Sequence, residues 1–125
     1  MRLTFLQQRG RAGERLACAH LRREGYAIHA TNVRYPVGEV DIVAQDGETL
    51  CFVEVRLRGG RQFGTALESI TARKQQRCIQ AARWYLKGKR SWTGPIRFDV
   101  LAIQQETGAK PAIELIRGAF DAPSW

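Results

Sequence analysis

Acidic residues are scarce in this chain. Its 125 residues hold 12 aspartates and glutamates against 20 lysines and arginines, which leaves a net charge of +8. The basic residues run from Arg2 to Arg117, so the excess belongs to the body of the protein and not to a tail. Such a balance favours a polyanionic partner, either nucleic acid or an anionic membrane. Long apolar runs are missing as well: none approaches the ~20 residues that a membrane-spanning helix needs. The opening Met1-Arg2-Leu3-Thr4-Phe5-Leu6 turns polar at Gln7, too soon for a signal peptide. With no membrane element, nucleic acid is the expected partner and the cytoplasm the expected compartment.

Cysteine is sparse and odd in number: Cys18, Cys51 and Cys78. Their spacing matches no zinc pattern, and each lies in an apolar stretch. Buried free thiols are therefore expected. The two histidines, His20 and His29, stand in no recognisable pairing with a cysteine, which argues against a cysteine nucleophile. Internal repeats, low-complexity segments and long linkers are also absent. A chain of this length can hide roughly two-thirds of its unfolded surface. Residues 1–125 are thus read as a single domain.

Helical spacing predicts a first helix from about Gln8 to Glu24, stopped by Gly25. Gly13, Ala17 and Leu21 share one side of it, Arg11, Arg15 and Arg22 the other, and Glu14 flanks the apolar stripe. Tyr26 to Arg34 reads as a strand, broken by Tyr35-Pro36-Val37-Gly38. Two strands follow, Gly38-Glu39-Val40-Asp41-Ile42-Val43-Ala44 and Phe52-Val53-Glu54-Val55-Arg56. They are joined by Gln45-Asp46-Gly47-Glu48, where Asp-Gly is a strong hairpin signal. A second helix is predicted from about Thr65 to Lys87, with Leu67, Ile70, Cys78, Ala81, Ala82 and Tyr85 on its apolar stripe. Pro95–Ile103 and Pro111–Arg117 read as two more strands. The order αβββαββ implies a layered α/β domain with a sheet of about five strands.

Carboxylates inside the β-rich runs are the informative feature. Strand interiors rarely accept them, because a half-buried charge must be compensated. A two- or four-residue turn at Asp46-Gly47 pairs odd with even positions. Glu39 and Asp41 then share a face with Phe52, Glu54 and Arg56, and Val40, Ile42, Val53 and Val55 form an apolar opposite face. Glu14 can approach the same acids from the first helix. Such a group repels itself unless a cation lies between, and hard divalent cations take oxygen ligands of this kind. Asp99, another strand acid, is read as the ion-pair partner of an arginine. Trp84, Tyr85 and Trp92 are read as core residues in preference to base-stacking ones.

These residues resemble the YraN family of small bacterial proteins considered endonuclease-like. The resemblance runs through Gly13-Glu14, Asn32 and Arg34, Gly38-Glu39-Val40-Asp41, Phe52-Val53-Glu54-Val55, Phe63-Gly64, Lys74, Ala81-Ala82 with Tyr85-Leu86, Arg97-Phe98-Asp99-Val100 and Ala119-Phe120. That family is in turn similar to the PD-(D/E)xK, restriction-endonuclease-like nucleases. The resemblance implies a mixed sheet with flanking helices and a magnesium site, with manganese as a substitute. It assigns metal ligation to Glu14, Asp41, Glu54 and the Val55 carbonyl. It assigns catalysis to Asp41, Glu54 and the position of Arg56, where the superfamily has lysine.

Arginine brings the positive charge but cannot lose a proton at useful pH. Lys74 on the second helix is the candidate replacement. Phosphate contacts are expected among Arg11, Arg15, Arg34, Arg58 and Arg61, with Arg2, Arg9 and Arg73 as further candidates. The expected activity is metal-dependent hydrolysis of phosphodiester bonds, with DNA favoured. A nuclease with one site that cuts both strands works as a dimer, so a homodimer is kept open. The alternative is a DNA- or RNA-binding module that keeps the fold without catalysis. A third reading is an interaction protein whose charge serves solubility.

Overall fold

The computed structural model describes residues 5–59, 68–88, 92–105, 108 and 110–122; of 5–10, 59 and 105 only the backbone is considered. The elements run α1 (Phe5–Arg23), β1 (Ala27–Tyr35), β2 (Gly38–Asp46), β3 (Thr49–Gly59), α2 (Ala72–Gly88), β4 (Ile96–Gln105) and β5 (Ala112–Phe120). This is the αβββαββ order expected from the sequence. The strands form one open five-stranded sheet in the order β1-β2-β3-β4-β5. All neighbours are antiparallel except β3 and β4, which run parallel because α2 carries the chain across between them.

The two helices cover opposite faces, and this splits the core in two. On one face Ala17, Cys18 and Leu21 of α1 pack with Tyr26, Ile42, Ala44, Cys51, Val53, Leu101 and Ile103. On the other, Cys78, Ile79, Ala81, Ala82 and Tyr85 of α2 pack with Val40, Val43, Leu50, Phe52 and Phe98. The three cysteines are buried free thiols, as expected. A sheet buried on both sides takes near-continuous apolar runs in its central strands, which explains why β2 and β3 are so rich in them.

Two-sided burial corrects the hairpin-face expectation. The register is the predicted one: Ile42 faces Val53, Val43 faces Phe52, and Asp46 faces Thr49 around a two-residue loop. Gln45 and Asp46 therefore belong to β2 and not to the turn. Gly47 leads that loop at φ 61°, a left-handed conformation that glycine takes without strain. Phe52, however, lies in the α2 core and not on a charged surface. Val40 also joins the α2 side, away from Ile42. The β2–β3 ladder stops at Ile42–Val53, so the start of β2 is free to twist out of strict alternation. The Asp41 and Glu54 carboxylates lie toward that end of the hairpin.

The predicted start of the second helix is corrected too. Thr71 Oγ1 accepts the Lys74 N–H at 3.2 Å, a side-chain cap that starts α2 at Ala72. Ile70 is buried but precedes the helix, and Leu67 lies outside the described residues. Lys74 is consequently an exposed first-turn residue, one turn before the buried Cys78.

Candidate active site

The β2–β3 ladder opens where the two central acids stand. Val55 donates its N–H to Asp41 Oδ2 at 2.8 Å, so the Asp41 side chain satisfies a backbone group of the neighbouring strand. The bond orients Asp41 through Oδ2; among the described residues no hydrogen bond to Oδ1 is seen. Glu54 precedes Val55 and shares the α2 side with Phe52 by strand alternation. Burial is the main influence on both acids and raises both pKa values. Glu54 is pushed up to about 8 by burial first and by the Asp41 charge second; Arg56, Lys74 and Glu39 act more weakly. At Asp41, burial is opposed by the Val55 N–H, and Glu39 and Glu14 add to the rise. Two carboxylates therefore face each other where neither charge is well compensated.

Arg56 and Lys74 are the cations that act on Glu54, one from β3 and one from the first turn of α2. Arg56 is tethered, since its Nε donates to Ser69 Oγ at 3.2 Å. Ser69 follows no periodic pattern, and no sequence signal pointed to it. Lys74 acts on Glu54 from the capped first turn of the second helix.

Glu14 reaches the acids from the other side of the sheet. Gly13 makes this approach feasible: a Cβ there would meet Leu57 Cδ2 at 2.6 Å, so α1 lies close on the end of β3. Asn32 Nδ2 donates to Glu14 Oε2. Asn32 holds φ 51°, a left-handed conformation that asparagine tolerates better than most residues. Glu14 acts electrostatically on Asp41, yet among the described residues no three acidic, histidine or cysteine side chains form a ready-made metal cage. The oxygen groups at this end of the sheet are the Asp41 and Glu54 carboxylates, with Glu14 acting on Asp41.

Of the predicted phosphate-binding arginines, Arg34 acts on Asp41. Arg11 and Arg15 are exposed on α1. Arg34 is paired with Glu39 at 2.6 Å. Arg58 is half-buried, and Arg61 and Phe63-Gly64 lie outside the described residues, as does Arg2.

Asp99 has the partner expected of it. It is fully buried, bonded to Arg97 Nε at 2.8 Å and Nη2 at 2.9 Å, to the Tyr26 hydroxyl at 2.9 Å and to the Gly118 N–H at 3.0 Å. Arg97 also bonds Asp46 at 3.0 Å. Tyr26 and Asp46 were not foreseen in this network, because they are distant in sequence from Asp99. Tyr85 is core as expected, whereas Trp84 is 43% exposed against Tyr35.

A family model described as "Uncharacterised protein family UPF0102" matches residues 13–103, a span that contains Glu14, Asp41, Glu54, Arg56 and Lys74. The chain belongs to the UPF0102 family. This is the YraN family of the sequence resemblance. The chain is 47% identical to a UPF0102 protein of Desulfosudis oleivorans over 93% of its own length and 92% of that protein's. It is also 47% identical to a UPF0102 protein of Pseudomonas aeruginosa, over 93% and 94% of the two chains. A UPF0102 protein of Symbiobacterium thermophilum is 44% identical over 90% and 96%. No helix among the described residues is long and apolar enough to cross a membrane.

Proposed function

We propose that this UPF0102 protein is a nucleic-acid-binding, metal-dependent nuclease that hydrolyses phosphodiester bonds, with DNA as the favoured substrate. The observation that carries the reading is the Asp41–Glu54 pair. Both acids are half-buried at the open end of the hairpin, both are raised in pKa, and two cations act on Glu54. A fold that retains a self-repelling pair gives up stability there, which is typical of functional sites. Asp41, oriented by the Val55 N–H, Glu54 and the Val55 carbonyl would hold magnesium, or manganese in its place. Bound there, the metal would polarise a phosphoryl oxygen and lower the pKa of a coordinated water.

The chain's own residues divide the remaining work. Arg56, held by Ser69, offers a fixed positive charge to a scissile phosphate but no exchangeable proton. Lys74 can exchange one, and its position on an exposed helix turn leaves its ammonium free to approach substrate. The net charge of +8 draws the polyanion in, so binding should weaken steeply with salt.

The test is cleavage of branched, single-stranded and duplex DNA with magnesium or manganese, in the wild type and in Asp41→Ala, Glu54→Ala, Lys74→Ala and Arg56→Lys. Wild-type cleavage lost in the first three variants is the expected result. No cleavage of any substrate with binding intact would favour the second reading, a module that binds without cutting. Arginine at position 56, tied to Ser69, is the observation on that side. Cleavage gained only in Arg56→Lys would identify a disabled nuclease.

A further inference from the structure

Helix α2 contains Arg73, Lys74, Arg77, Arg83 and Lys87 and no acidic residue. Arg73, Arg77, Gln80, Trp84 and Lys87 recur at three, four and seven positions, which places them on one stripe of the helix. The buried stripe of Cys78, Ile79, Ala81, Ala82 and Tyr85 faces the sheet, so this other stripe faces outward. Arg73, Trp84 and Lys87 are exposed, and Arg77 and Gln80 are half-buried. Among the described residues none of these three basic side chains is ion-paired with a carboxylate.

Trp84 is an unusual residue to leave 43% exposed on such a stripe. Its ring is supported from one side by Tyr35, at 5.5 Å between centroids and 44° between planes. Tyr35 ends β1, and Gly38 just beyond the turn packs against the backbone of Arg77. Tyr35 packs against the indole and leaves part of it accessible. A held aromatic ring among unpaired cations is the chemistry that binds a single-stranded nucleic acid, where bases stack and phosphates are neutralised. Duplex DNA offers no unstacked base to such a ring. From Arg73 to Trp84 the helix extends roughly 16 Å, a stretch that a few nucleotides span. Lys74, which acts on Glu54, lies beside the Arg73 end.

We propose that the outer stripe of α2 is a track for single-stranded nucleic acid, on which Trp84 stacks a base, Arg73, Arg77 and Lys87 contact phosphates, and the strand is led to Lys74 and the paired carboxylates. The proposal deepens the nuclease reading and rests on its nucleic-acid partner, not on its chemistry.

Metal-free binding to fluorescent oligothymidylate and to a duplex of equal length, followed by anisotropy, tests it. The wild type should bind the single strand, and Trp84→Ala should weaken that binding about tenfold with little change for the duplex. Trp84→Phe should retain most of the affinity. The double variant Arg73→Gln/Arg77→Gln should reduce the slope of log affinity against log salt by about 1.4, or roughly 0.7 per lost phosphate contact. Circular dichroism should show both variants folded; if Trp84→Ala is not, the Phe variant and the salt slope decide. Equal single-strand affinity in wild type and Trp84→Ala would overturn the track, as would an unchanged salt slope. So would a Trp84-dependent self-association that leaves DNA binding intact. A protein that binds through Trp84 but cuts nothing keeps the track and loses the nuclease. One that cuts normally with Trp84→Ala on single strands keeps the nuclease and loses the track.

Discussion

Asp99 and Glu54 stand on adjacent parallel strands, since Val53 pairs with Asp99 and Glu54 with Val100. Burial acts on both, yet their carboxyls move in opposite directions. At Asp99 the burial penalty is outweighed by Arg97, the Gly118 N–H and the Tyr26 hydroxyl, and its pKa falls. At Glu54 burial and Asp41 prevail over Arg56 and Lys74, and its pKa rises to about 8. Asp99 faces the α1 side, where an arginine and a tyrosine are built in around it. Glu54 faces the start of α2, where the strongest charge acting on it is another acid, Asp41, and Arg56 and Lys74 act more weakly. One end of the sheet uses a buried acid as a structural tie. The other leaves a half-buried acid under-compensated.

The largest effect should come from breaking the tie. Asp99→Ala would leave Arg97 and Tyr26 without their common acceptor and should cost about 3 kcal/mol in denaturant unfolding. A loss well under 1 kcal/mol would show that the network is incidental. Gly38→Ala comes next, at roughly 2 kcal/mol, because its Cβ would run into the Arg77 carbonyl oxygen and push α2 off β2. That variant should also weaken whatever Lys74 does at Glu54.

Removing the charge at Glu54 should act in the opposite sense. In metal-free protein at pH 8 and above, Glu54→Gln should stabilise by about 1 kcal/mol, as solvent at the strand end screens part of the repulsion. The folded protein holds the Glu54 proton up to about pH 8, while an unfolded chain releases it near 4.5. Between those values the folded state binds more protons, so this contribution to stability is present below pH 4.5 and is lost as pH rises through 8. Asp99 behaves conversely: its contribution is present above its ordinary value of 3.8 and is lost as pH falls below it. A metal-free Tm profile that is flat from pH 5 to 8, and identical in Glu54→Gln, would sink the contrast. The smallest effect expected is a rise of a few degrees in Tm with millimolar magnesium at pH 8, absent in Asp41→Asn and fading toward pH 6. An equal rise in Asp41→Asn would remove Asp41 from the ligand set.

Local pattern made much of this legible. The element order, the Asp46-Gly47 hairpin and its odd-to-even register followed from alternation and turn chemistry, which act over a few residues. The register brought Asp41 and Glu54 to the same end of the hairpin, just past its last pair, Ile42 and Val53. The start of α2 was misjudged by several residues because Ile70 continues the helical spacing, whereas the Thr71 cap ends it. Val40 was placed on the wrong face because alternation assumes an intact ladder, and the ladder stops at Ile42. Trp84 matched a core spacing but packs only one side of its ring, on Tyr35.

What the sequence determined by itself was the fold's order and the identity of the paired acids, which rest on short-range periodicity, and the family, which rests on the likeness of its motifs. Only the tertiary structure decided which acids are compensated. Asp99 is bound by Tyr26 and Gly118, far away along the chain in both directions, and Arg97 is shared with Asp46. Glu54 meets Asp41 and Lys74 through a hairpin and a crossover helix. Coulomb interactions and desolvation depend on distance in space and on burial. Spacing along a strand carries neither.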